Sequence, residues 1–337
     1  MKKLLTIAVT SYNRVNELIR CLESIDCEKH IDEIEVIISE DKSPKRNEIE
    51  KAVEEFKKKT KYEIVFHKND INLGYDRNLK QLINLASSKY VLYISDDDMF
   101  LPGKIDHFVD VLSNKECALC YSPCFDEEHN RYARYYEKSF DIDRGSQFVR
   151  KKIYDSILFS GLIFELDKVR TIDAERFLNM NYIQVYMFIH TLYKYGGYYD
   201  NEPLIWIKGD GENGYGQSES SIKNELLANR KHALSNLEFH KGLINVIKMA
   251  DADLSTKFIK DFEKEYSRRS IVGMLNAALD SKETLRAYWK KMKSLDLNLT
   301  IIARLYYCFL SVFGGKFTNN IITCIKKINC IKGLKYE

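Results

Sequence analysis

Short apolar runs alternate with helical patterns through the first hundred residues. Residues 4–9 form an almost unbroken apolar run, the pattern of a strand covered on both faces. Val15, Leu18, Ile19 and Leu22 then recur at helical spacing, with Asn13 placed to cap that helix. Residues 35–39 read as a second strand, 48–59 as a second helix, 62–67 as a third strand, 75–86 as a third helix and 90–94 as a fourth strand. This alternation is the signature of βαβ units and predicts an α/β fold with a Rossmann-like, mostly parallel sheet flanked by helices. Further strands are expected at 118–122 and 161–165, a helix at 182–195, and two short strands within 198–208, broken by Asn201, Glu202 and Pro203. Residues 209–216 are too glycine-rich for regular structure, and from Ser220 onward the period is helical. The chain, at 337 residues, is longer than the ~100–200 residues of one ordinary domain. The expected organisation is an α/β domain over 1–215 and a helical C-terminal region over 216–337.

Each early strand ends in polar residues. Ligands of open α/β sheets sit beyond the carboxyl ends of the strands, so the loops at 10–14, 40–43 and 95–98 form the candidate site. Composition narrows the partner. Lys and Arg number 52 against 49 Asp and Glu, and the resulting net charge of +3 is too small to argue for nucleic acid. The eight cysteines, with no secretory leader ahead of Leu4, fit a reducing cytoplasm. Cys117, Cys120 and Cys124 lie close together, but no second cluster or His pair completes a zinc site, so buried core thiols are the better reading. The 22 tyrosines and 17 phenylalanines suit the lining of a sugar-binding cleft.

Asp96, Asp97 and Asp98 directly follow the apolar strand at 90–94. Three adjacent carboxylates repel one another, and hard oxygen ligands on a short loop suit Mg²⁺ or Mn²⁺ bridging to phosphates. The alternative is a solvated turn that caps the next helix near Pro102 and Lys104; the buried strand in front favours the metal.

The segment YVLYISDDDMFLP, from Tyr90 to Pro102, resembles the acidic metal-binding motif of family-2 glycosyltransferases, which share the GT-A fold. Three more stretches are similar to that family, in the same order: LTIAVTSYNR from Leu5 to Arg14, SEDKS from Ser39 to Ser43, and NLGYDRN from Asn72 to Asn78. The resemblance implies that Thr10, Tyr12 and Arg14 contact the nucleotide, that Asp41 accepts a hydrogen bond from the base, and that Gly74, Arg77 and Asn78 flank the nucleotide and donor sugar. It implies Asp96 at the ribose, and Asp97 with Asp98 at a Mn²⁺ or Mg²⁺ ion. Asp97, Asp98 and Arg77 are the catalytic candidates, stabilising charge on the departing diphosphate. A helix-surface arginine is the competing reading of Arg77. Ser95 stands where many members carry the first Asp of an Asp-x-Asp pattern.

In the inverting members an acidic pair opens a helix about twenty residues before a Glu-Pro-Leu strand start, and one carboxylate takes the acceptor's proton. Glu202-Pro203-Leu204 supplies that landmark, but an ungapped count lands on Ile183 and Gln184. A gap, a base from elsewhere, or a retaining mechanism in which the leaving diphosphate takes the proton all remain open. Asp155, Asp173 and Glu175 are substitutes, and His190 sits on a helix among Met187, Phe188 and Leu192. Ser160-Gly161 resembles the family's small-residue turn before an acceptor-side strand, and residues 209–220 could serve as a lid.

The tail from Leu299 to Lys335 mixes isoleucine, aromatic and lysine residues. Its longest apolar stretch, 305–313, is far short of the ~20 residues a spanning helix requires. It is expected either to lie in a membrane interface with lysines toward anionic headgroups or to pack on the catalytic domain. The functional expectation is a metal-dependent glycosyltransferase of the hexosyl or deoxyhexosyl class. It would use a nucleotide-diphospho-sugar, UDP-type favoured, on a glycan or polyprenyl-linked acceptor in bacterial surface polysaccharide or O-antigen synthesis, at the inner face of the plasma membrane. The rival is a catalytically inactive relative that binds nucleotide sugar. A nucleotidyltransferase is weaker still, because residues 10–14 contain no glycine for a phosphate loop.

Overall fold

The structure is a computed structural model that describes residues 3–145, 147–208, 210 and 234–333. Its first half alternates as the apolar pattern predicts: β1 (Leu5–Ser11), α1 (Val15–Glu23), β2 (Ile34–Glu40), α2 (Arg46–Lys57), β3 (Glu63–Lys68), α3 (Tyr75–Leu85) and β4 (Tyr90–Ser95). β1 lies between β2 and β4, parallel to both, and β3 continues the parallel run beyond β2. The strand order therefore reverses at β1. Register sets Thr10 beside both Ser39 and Ser95, so the loops after β1, β2 and β4 leave the sheet at one level. Such a switch point is where an open α/β sheet makes a crevice.

The chain continues through β5 (Met99–Phe100), α4 (Lys104–Asn114), β6 (Leu119–Tyr121), β7 (Cys124–Asp126), β8 (Arg131–Ala133), β9 (Phe140–Ile142), α5 (Phe148–Lys152), β10 (Leu162–Glu165), α6 (Leu166–Val169), α7 (Ile183–Tyr195), β11 (Gly197–Tyr199) and β12 (Ile205–Ile207). β10 joins β4 antiparallel, and the main sheet reads β3-β2-β1-β4-β10-β6-β11-β9. A second sheet, β5-β12-β7-β8, stands beside it. The helices α8 (Ser235–Leu254), α9 (Phe258–Asp280), α10 (Lys282–Lys293) and α11 (Ile301–Gly333) complete the described chain.

Two apolar clusters cover the two faces of the sheet. Leu5, Ile7 and Val9 of β1 point to one, with Leu18, Leu22, Val53 and Phe108 from the helices. Ala8 and, from β4, Val91 and Tyr93 point to the other, which runs through Phe188 of α7 into Phe258, Met274, Met292 and Leu310. The helices after residue 234 thus extend a core begun by the sheet. The boundary expected at 215 and 216 falls outside the described residues, as does nearly all of the expected lid. Cys120 and Cys124 are buried in the core.

Asn13 does not cap α1. It adopts φ +63°, turning the chain out of β1, and Arg14 takes the cap position without a side-chain cap bond. The guanidinium of Arg14 is drawn instead to the carboxylates beyond β4.

Candidate functional site

The carboxyl ends of β1, β2 and β4 open into a cleft of about 810 Å³, within the range of small-molecule sites. Thr10, Tyr12, Arg14, Asp41, Gly74, Arg77, Asn78, Asp96, Asp97 and Asp98 all line it. The sheet register and the start of α3 thus gather the nucleotide, metal and catalytic candidates named from the sequence, though not the substitute bases. The gathered residues differ in what their side chains do.

The acidic turn is organised around Arg14. One guanidinium nitrogen lies 2.8 Å from Asp96 Oδ1 and 3.0 Å from Asp97 Oδ2. The backbone N–H of Tyr12 donates to Asp96 Oδ2 at 3.1 Å. Burial pushes the Asp96 carboxyl up to about 7 in spite of the arginine beside it. Asp98 is also pushed up to about 7, by burial and then by the charge of Asp97. Ser160 Oγ donates to Asp98 Oδ2 at 2.6 Å and accepts the N–H of Ser95 at 3.1 Å, while the Ser95 hydroxyl donates to Asp97. Ser95, in place of an aspartate, therefore holds the carboxylate two residues on. Arg20 donates to the carbonyl of Asp97 at 3.0 Å and pairs with Asp210 at 2.7 Å.

Among the described residues no three His, Cys, Asp or Glu side chains converge as a complete metal cage. A hard cation does not require one: Mg²⁺-type sites take one or two carboxylates and complete their shell with substrate phosphates and water. Asp97 and Asp98 fit that kind of ion, standing in a buried acidic turn with a surplus of negative charge over Arg14.

Asp41 is nearly saturated from inside the protein. Its Oδ1 accepts from Leu73 N at 2.7 Å and Asn69 Nδ2 at 3.0 Å, and its Oδ2 from Gly74 N at 2.9 Å. The carboxylate shapes the 72–74 turn and leaves one lone pair, on Oδ2, for a ligand. Asn78 ties α3 to the end of β2: its Oδ1 accepts from Ser39 Oγ at 2.6 Å and Asn69 at 3.0 Å, and its amide donates to Ser39 O. Arg77 turns its exposed guanidinium to Glu175, with Nε 2.8 Å from the carboxylate.

Asp76 has a role the sequence did not suggest. Its oxygens accept from Ile183 N at 2.9 Å and Asn181 N at 2.8 Å, capping the start of α7 from α3. Burial pushes this carboxyl up to about 6. Arg134, buried at φ +59°, donates to the carbonyls of Ser160 at 2.6 Å and Leu158 at 3.2 Å, fixing the loop that carries Ser160. Neither contact has a local sequence signal, because the partners are far apart along the chain. Gly161 follows at φ +82°, and a Cβ there would lie 2.9 Å from Ile205 Cγ1.

α7 begins at Ile183, so the ungapped count reaches the start of that helix. Gln184 is buried and lines the cleft; its Nε2 donates to Ile157 O at 3.0 Å, and its Oε1 has no protein partner. Asp155, Asp173, Glu175 and His190 do not line the cleft. Asp155 accepts from Tyr136, Asp173 caps a short turn, Glu175 pairs with Arg77, and His190 stacks on Tyr186. The far wall comes from the C-terminal helices, through His240 of α8 and Arg269, Ser270, Val272 and Asn276 of α9.

Residues 6–170 match the model of glycosyl transferase family 2. An uncharacterized glycosyltransferase of Methanocaldococcus jannaschii is 27% identical over 123 residues, 36% of this chain and 41% of that protein, so the match spans less than half of this curated relative. The crystal structure of S. aureus TarS 1-349 covers 90% of each chain at 12% identity and a TM-score of 0.52. The same TarS fragment in complex with UDP gives a TM-score of 0.52 at 13% identity and the same coverage. At that identity the likeness concerns the fold. The matched segment carries β1 to β4, the acidic turn and Ser160, and this part of the chain is a glycosyl transferase family 2 domain with a GT-A-like fold.

Proposed function

We propose that this chain transfers a sugar from a nucleotide-diphospho-sugar, of UDP type, to a hydroxyl of a glycan or lipid-linked acceptor in bacterial surface polysaccharide synthesis. One observation carries this reading: the Arg14-braced acidic turn stands at the switch point between β1 and β4, at one end of a cleft whose other wall is helical. A UDP complex among the solved structures of the same fold supports the choice of nucleotide.

In this reading Thr10, Tyr12, the remaining lone pair of Asp41 and Asp96 receive the nucleoside, Arg77 stands at the sugar, and Asp97 and Asp98 hold a Mn²⁺ or Mg²⁺ ion. When bound, that ion neutralises the diphosphate as the glycosidic bond breaks. The chain's own contribution is positional: Arg14 keeps Asp96 and Asp97 oriented, and Ser160 sets the Asp98 carboxylate. Gln184, at the place where the ungapped count looks for the base, is an amide with a buried Oε1 and cannot remove a proton. This favours a retaining course in which the leaving diphosphate takes the proton. The same residue supports a second reading, a relative that binds nucleotide sugar without turnover.

Incubation with a panel of nucleotide sugars and candidate acceptors in the presence of Mn²⁺ separates the two through release of nucleoside diphosphate. Release that is abolished by chelation or by Asp97→Ala supports transfer. Tight nucleotide binding with no release against any acceptor selects the binding protein, and absence of nucleotide binding refutes both.

A further inference from the structure

α11 shows solvent a face that a helix in water would bury. Ile301, Leu305, Phe309, Val312 and Phe313 are 40–72% exposed, and their helical spacing sets them in one stripe; α11 kinks at Gly314 (φ +77°), and beyond the kink Phe317, 51% exposed, stacks back on Phe313. Phe309, Phe313 and Phe317 form a ladder with ring centroids 4.6 and 5.5 Å apart. The other side of the helix already has its partner: Ala303, Leu310 and Thr318 are buried, and a Cβ on Gly315 would lie 2.5 Å from the Leu279 nitrogen of α9. The exposed stripe is therefore a second apolar face.

Its charge has one sign. Between Ile301 and Phe317 the charged residues are Arg304 and Lys316, both exposed. From Leu297 to Tyr336 the sequence holds six basic residues, Arg304, Lys316, Lys326, Lys327, Lys332 and Lys335, and no acid. A second copy docked face to face would set cation against cation, whereas an anionic amphiphile matches both the apolar stripe and its basic rim.

α9 connects α11 to the cleft. Leu279, itself 40% exposed, adjoins Gly315; seven residues earlier on the same side of α9 stands Val272, 63% exposed and lining the cleft, with Asn276 between them also in the lining. α9 thus carries part of the cleft wall on the same helix that α11 packs against.

We propose that this face rests on an anionic lipid bilayer, in the plane of the interface, and that it brings the cleft to an acceptor anchored there by an apolar chain. The clause on the acceptor rests on the glycosyl-transfer reading; the membrane contact does not. Among the described residues no helix is long and apolar enough to cross a membrane.

Co-sedimentation of the full chain with vesicles tests the contact. Binding to vesicles of phosphatidylglycerol mixed with phosphatidylcholine is expected to be at least about tenfold tighter than to phosphatidylcholine alone, and to weaken with salt. The variant Phe309→Ser with Phe313→Ser and Phe317→Ser should lower partitioning by at least about tenfold while retaining wild-type circular dichroism and nucleotide affinity. Arg304→Gln with Lys316→Gln, which leaves the apolar stripe intact, should lose part of the preference for anionic vesicles and serves as the decisive variant if the triple serine form does not fold. Wild-type protein that stays in the supernatant, or variants that bind as tightly as wild type, would overturn the proposal. So would a wild-type dimer that the serine variant dissolves, which would assign the face to a second copy. Loss of nucleotide binding in the wild type would instead sink the transferase reading and leave the vesicle result standing.

Discussion

The side-chain amide of Gln184 donates to the carbonyl oxygen of Ile157 at 3.0 Å, and that bond ties the start of α7 to the loop before Ser160. A carbonyl can only accept, so the nitrogen must face Ile157 and Oε1 must point elsewhere, where the protein gives it no donor. Oε1 is buried there, so the amide is part of the cleft wall. Gln184→Leu, which removes the bond to Ile157, is expected to disturb that wall and lower kcat/KM for the acceptor by about tenfold, the size of one lost hydrogen bond, with nucleotide affinity unchanged. Calorimetry with nucleotide and initial rates with varied acceptor separate the two quantities; an equal fall in both would refute the assignment.

Arg14 bridges two carboxylates whose surroundings are largely closed to water. Its removal leaves Asp96 and Asp97 without their cation. Arg14→Ala should destabilise the fold by about 3 kcal/mol in denaturant unfolding, because a buried charge that loses its partner retains its desolvation cost. Arg14→Lys should recover part of this, since it restores the charge but on a shorter side chain with a more strongly hydrated ammonium. Equal losses for the two variants would mean that charge and geometry are not what Arg14 supplies.

Gly161 joins the Ser160 turn to β10 at φ +82°. Alanine meets two costs there, the left-handed backbone and a Cβ only 2.9 Å from Ile205 Cγ1. Gly161→Ala is expected to lose roughly 1–3 kcal/mol, seen as a lower Tm, and to disturb the Ser160 to Asp98 bond enough to weaken nucleotide binding. An unshifted Tm would show that β12 gives way at no cost.

His240 projects from α8 into the cleft wall, its Nδ1 2.9 Å from Tyr266 Oη. Desolvation pushes the imidazole down to about 4. The unfolded chain takes up this proton near pH 6.5 and the folded chain only near 4, so the contribution to stability is present above 6.5 and is lost as pH falls toward 4. His240→Gln, which keeps a polar group but does not titrate, should flatten the acid side of the stability curve by up to about 1.4 kcal/mol per pH unit between those limits. Parallel curves for the two proteins between pH 7 and 4 would exclude this origin.

What the sequence determined by itself was local. The strand and helix alternation of the first hundred residues, and the polar loops at 10–14, 40–43 and 95–98, follow from residue period, which a segment carries wherever it packs. Even here a local rule failed at Asn13, because the pull of distant carboxylates on Arg14 outweighed a cap worth about 1 kcal/mol. Of the second sheet only β12 was expected; β5, β7 and β8 are two or three residues long, too short to display a period. Tertiary structure alone decided that Ser160 would reach Asp98, that Asp76 would cap a helix 107 residues downstream, and that α11 would bury one apolar face and expose another. Each depends on strand register and helix docking that bring remote residues within hydrogen-bond distance, and no window of neighbouring residues encodes such a meeting.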